Sequence, residues 1–134
     1  MKSIDFDSGY KTYAINGDEN CVIRINTTDF NLPKRIQDAN ESINAVIKEY
    51  EGKNAAEDIA GFDAKVRAII NEVFGSDICT PAFGAANLFS ITSNGNYIFE
   101  NFLGALLPVI QADIEEAAKA AQVRPEVQKY LEEK

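Results

Sequence analysis

Cys21-Val22-Ile23-Arg24-Ile25-Asn26-Thr27-Thr28-Asp29-Phe30-Asn31-Leu32-Pro33-Lys34-Arg35-Ile36 decides the fold, because the hydrophobic period changes inside it. Before Thr27 the apolar residues alternate: Cys21, Ile23 and Ile25 share one face of an extended strand. After Asp29 they recur at helical spacing, as Leu32, Ile36, Ala39, Ile43, Val46, Ile47 and Tyr50. Pro33 suits a first helical turn, where its missing N–H is no loss, if Asn31 is the N-cap. Strand therefore gives way to helix within a few residues, and the chain is α+β.

Towards the N-terminus, Lys11 to Ile15 alternates as well, with Tyr13 and Ile15 on one face. Asn16-Gly17-Asp18-Glu19-Asn20 between the two runs has the composition of a hairpin loop. Ile4 and Phe6 are placed to add a third, edge strand, with Ser8-Gly9 turning out of it. A hairpin alone is marginal, so residues 1–26 must lean on helices.

Towards the C-terminus, the first helix is expected over about 32 to 51, ended by Gly52. Asn54 with Glu57 has the spacing of a capping box for a second helix, whose stripe is Ile59, Phe62, Val66, Ile69, Ile70 and Val73 and whose stop is Gly75. These two helices, residues 32–74, form a hairpin and bury their stripes against each other. A connector of residues 75–96 shows no clear period, and Asn87 to Ile91 is its one candidate strand. It is too apolar for a solvated linker.

Residues 97–122 are expected to form the most hydrophobic helix, with Phe99, Phe102, Leu103, Leu106, Ile110 and Ile114 in its main stripe. Pro108 removes one hydrogen bond and crowds the carbonyl of Gly104, so a kink is expected between them. Tyr97, Ile98, Leu107 and Val109 fall outside the stripe and make the helix apolar over much of its circumference. Val123-Arg124-Pro125 interrupts, and a short tail helix over 125–132 carries Val127, Tyr130 and Leu131. The expected architecture is thus one mostly α domain over 1–134, an N-terminal hairpin on three main helices and a short C-terminal helix.

Composition narrows the function. A net charge of −8 and a pI near 4.5 oppose phosphate backbones and anionic lipid surfaces, so neither nucleic acid nor membrane is an expected partner. There is no signal-peptide pattern at Met1 to Asp5 and no run of 18 apolar residues, and a cytoplasmic protein is expected. Cys21 and Cys79 have no metal-ligand spacing and read as packed thiols in a reducing compartment, with no disulfide.

Histidine is absent, which removes the commonest general base, the Ser-His and Cys-His pairs and nearly every zinc site. Gly52-Lys53 lacks the upstream glycine of a phosphate loop, and Asp5-x-Asp7 with Gly9 lacks the spacing of a calcium loop. Glu115 and Glu116 are adjacent on a helix and diverge, unlike the opposed carboxylates of a glycosidase. No catalytic residue, cofactor site or metal site is expected.

What remains is apolar surface. Phe83, Phe89, Phe99, Phe102, Leu103, Leu106 and Ile110 are the candidate partner-binding residues, with Leu106 at their centre and the connector either covering them or yielding to a partner segment.

The run from Asn16 to Asn31, the amphipathic helix after it, Val73-Phe74-Gly75, Phe83-Gly84 and Asn101-Phe102-Leu103 before a long helix together resemble small tail-assembly proteins of phages and prophages of Gram-positive bacteria. The resemblance covers most of the chain and takes in both tail assembly chaperones and uncharacterised neighbours in the tail gene module. It implies a non-catalytic protein of the host cytoplasm that binds the tape measure protein or other tail components and keeps apolar helices soluble. The alternative within the same resemblance is a structural subunit of a tail or head-tail connector, forming a homo-oligomeric ring in the virion.

Overall fold

A computed structural model describes residues 1–121, in the order β1 (Lys11–Ile15), β2 (Asp18–Ile25), α1 (Leu32–Tyr50), α2 (Ala56–Phe74), α3 (Cys79–Phe83) and α4 (Ile98–Ala121). The fold is α+β and mostly α, as the change of period implies. The tail helix expected over 125–132 lies outside the described residues.

β1 and β2 form an antiparallel hairpin in which Lys11 faces Ile25 and Tyr13 faces Ile23. The loop is shorter than its composition suggested. Asn16 and Gly17 alone make the turn, with φ of 51° and 76°, the two positive values that match a tight turn to strand twist. Asp18 to Asn20 belong to β2, and the surplus residues are absorbed by a register shift between Ala14 and Ile15. Ile23 and Ile25 are buried, with Tyr13 and Ile15 packed beside them on the same face.

Among the described residues the sheet has two strands, so the third strand expected at Ile4 and Phe6 does not form. Both side chains stand in solvent, at 88% and 75% exposure. The chain is instead deflected off β1: the Gly9 N–H donates to Asp7 Oδ1 at 2.9 Å, Gly9 takes φ of 83°, and the Asn26 amide donates to the Ser8 carbonyl at 3.4 Å.

α1 and α2 pack on each other through the expected stripes, with Leu32, Ile43, Val46, Phe62, Val66, Ile70 and Val73 buried. Gly75 ends α2 in the left-handed conformation at φ of 70°. The capping box does not form: α2 begins at Ala56 behind Ala55, one residue too late for Asn54 to cap it, and no side chain caps that end. Asp29 serves α1 instead, accepting from the Asn31 N–H at 2.9 Å and pairing with Arg35 at 2.6 Å.

The connector is not structureless. Residues 79–83 form α3, and Ile91 makes an isolated bridge to Tyr97 in place of the strand sketched for 87–91. α4 runs through Pro108 as one continuous helix. Its Phe99, Leu106, Ile110 and Ile114 complete the core.

Candidate functional site

The connector is fastened to α2 by a polar row at i, i+4 and i+8: Asp63, Arg67 and Asn71. Asp63 Oδ1 accepts the Leu88 N–H at 2.7 Å while its other oxygen holds Arg67 Nε at 3.1 Å. The Arg67 guanidinium then donates to the carbonyls of Gly84 and Ala86, at 2.8 and 2.6 Å. Asn71 Oδ1 accepts from the N–H groups of Ile78 and Cys79, at 2.8 and 3.0 Å, and Asp77 Oδ1 accepts from that of Thr80 at 3.0 Å. The next residue, Pro81, has no N–H, so the first turn of α3 leaves no donor orphaned. The two Thr80 bonds, side chain and then backbone, hold the Asp77 carboxyl below the usual carboxylate range.

This strapping drives Phe89 into an aromatic cluster. Its ring stacks on Tyr50 of α1 at 5.0 Å and meets Tyr97 and Phe99 edge-on at 5.2 and 5.6 Å. Tyr50 meets Phe62 of α2 edge-on at 5.0 Å. Leu88 beside it is fully buried. The connector therefore builds the core that joins α1, α2 and α4.

That placement decides the candidate residues. Phe83, Phe89, Phe99, Leu106 and Ile110 are buried in the chain's own core, at 4 to 8% exposure, and of these Phe83 and Leu106 still line a groove on one side of α4 and Ile110 a groove on the other. Phe102 and Leu103 are half-buried and face opposite flanks of α4. Each flank carries a groove.

On one flank, a groove of about 410 Å³ runs between β1 and α4, lined by Tyr13 to Asn16, Phe83 and, from α4, Ile98, Phe102, Ala105 and Val109. On the other, Ile36 of α1 and Leu107 of α4 face each other across a furrow with cavities of about 290 and 60 Å³. Leu32, Pro33, Leu103 and Ile114 extend its walls, and Asn40 and Gln111 are its polar residues. Leu107 is 52% exposed at its centre. A concave, uncharged wall between two helices offers an apolar helix contacts at i, i+3 and i+4 spacing.

At one end the β1 groove is tied by polar contacts. Tyr13 donates to Asp113 of α4, and buried Thr27 donates to the same oxygen at 2.6 Å. Burial first, and then the bond to Asp113, raise the Tyr13 pKa. Cys79 is fully buried, donates towards the Arg67 carbonyl at 3.6 Å, and has its thiol pushed up to about 11 by burial. Cys21 donates to the Pro81 carbonyl. Asp5 and Asp7 accept from Ser3 Oγ and the Gly9 N–H, as turn residues do. Among the described residues no three His, Cys, Asp or Glu side chains converge as a metal site, and no helix is long and apolar enough to cross a membrane.

Sequence reasoning set Leu107 and Val109 apart from the main stripe but did not place them in separate grooves. It overlooked Asp63, Arg67 and Asn71, whose spacing of four on one helix face was the available signal. Comparison of the chain with models of protein families, with curated proteins and with solved structures finds no match.

Proposed function

We propose that this protein is a non-catalytic tail-assembly chaperone or adaptor that holds an apolar helical segment of a phage tape measure protein in the furrow between α1 and α4. The observation that carries the reading is Leu107, half in solvent in a furrow that has apolar walls and no charged lining. A helix laid there would cover Leu107 and Ile36 without leaving a charge buried. The acidic body, with net charge −8, would keep such a complex from aggregating. The resemblance of Asn16 to Asn31 and of the later short motifs to tail-assembly proteins supplies the client and the bacterial cytoplasm as its place of action.

Co-expression tests this. A tape measure protein that is insoluble alone should become soluble, and co-purify, when this chain is present. If the client stays insoluble and the chain is instead recovered in purified tail particles, the protein is a structural subunit.

A further inference from the structure

β1 has β2 on one side and, among the described residues, no strand on the other. Four consecutive residues, Tyr13 to Asn16, line the groove beside α4, whereas β2 contributes Ile23 alone. Consecutive residues of a strand point to opposite faces, so a lining that takes in three strand residues in a row, Tyr13 to Ile15, and then Asn16 of the turn, follows the strand's edge. Every second residue of that edge turns its N–H and C=O away from β2. An unpaired edge beside an apolar helix wall is the setting in which an extended segment adds as a further strand, its backbone on the edge and alternate side chains against the wall.

The same chain carries a segment of that kind. Ile4-Asp5-Phe6-Asp7 alternates apolar and charged residues, so in an extended conformation Ile4 and Phe6 share one face and the carboxylates the other. Both apolar side chains stand in solvent. The segment is joined to β1 within a few residues, yet it leaves the edge open. Its root is held away by the Asp7 to Gly9 turn and by the Asn26 amide on the Ser8 carbonyl. An arm arriving from another molecule has these contacts within its own chain, so they do not fix its position relative to the strand it meets, and its register there is free.

We infer that the β1 edge and the groove beside α4 receive residues 4–7 of a second copy of this chain, with Ile4 and Phe6 against Phe102, Ala105 and Val109. The carboxylates of Asp5 and Asp7 then face solvent. This arm exchange is independent of the client reading, because it uses the opposite flank of α4 and is measured on the protein alone.

Light scattering after size exclusion, over a concentration series, tests it with three proteins. The wild type should rise from 14.7 kDa to at least twice that mass. Phe6→Asp removes the arm's anchor, and Ala105→Glu places a charge in the groove; both positions are exposed, so circular dichroism should stay unchanged. Each variant should remain a monomer, and an equimolar mixture should recover the doubled mass, since one supplies an arm and the other a groove. A wild type that is monomeric throughout, a variant that assembles like the wild type, or a mixture that stays monomeric overturns the inference.

Discussion

Tyr13 donates its phenolic hydrogen bond to Asp113, one hundred residues further along the chain. Thr27, 1% exposed, donates to the same carboxylate, so a single acidic side chain on α4 joins the middle of β1 and the turn after β2 to the long helix. Besides this and the Cys21 thiol on the Pro81 carbonyl, the hairpin meets the helices through apolar contact, which fixes distance but not orientation.

Tyr13→Phe should therefore destabilise the protein by about 1.5 to 3 kcal/mol near neutral pH, the range for a bond to a charged partner. It also predicts a pH dependence. The folded state raises the Tyr13 pKa above its ordinary 10.0, through burial and Asp113, and so holds the proton more tightly than the unfolded chain does. That contribution is complete below about pH 10 and is lost as pH climbs beyond it. Thermal melts across this range should show a shallower alkaline fall for Tyr13→Phe than for the wild type; parallel curves would contradict the account.

Cys79 titrates with the same sign in a neighbouring window, its thiol raised from 9.0 to about 11 by burial. It should resist iodoacetamide at pH 8 in the folded protein and react promptly in denaturant. Mass spectrometry of the modified peptides reads this directly. Rapid native alkylation at Cys79 would mean that α3 opens far more readily than its straps allow.

Asp63→Ala should cost about 1 to 3 kcal/mol, because it strands the N–H of the fully buried Leu88 and frees Arg67 from its partner. Phe89→Ala should cost more, about 3 to 5 kcal/mol, by emptying the centre of the aromatic cluster. Hydrogen exchange should show the residues 77–90 losing protection first in Asp63→Ala. Unchanged protection there would show that the connector holds by packing alone.

Much of this architecture was legible because it rests on period. The alternation of Tyr13, Ile15, Cys21, Ile23 and Ile25 and the stripes of α1 and α2 follow from which faces must leave water. The α3 turn was not, because five residues carry no helical period and its first-turn donors are capped from Asn71, seven and eight residues back. The short turn at Asn16-Gly17 was hidden inside five polar residues, three of which are strand. The candidate site was legible as a helix and not as a face: Leu106 and Leu107 are neighbours in sequence, yet one is 7% and the other 52% exposed. A stripe alone does not say which of two flanks is left open, since that depends on where β1 and α1 come to lie.

That one-residue difference also sets the most direct test of the proposed function. Leu106→Asp would bury a carboxylate in the core and unfold the protein, so it says nothing about binding. Leu107→Asp alters the furrow and spares the core, and its melting temperature should stay within a few degrees of the wild type's. Co-expressed with the tape measure protein, the wild type should keep that client soluble and the folded Leu107→Asp variant should leave it in the pellet. A folded Leu107→Asp that rescues the client as well as the wild type does would contradict the claim that the α1 and α4 furrow is where the client lies.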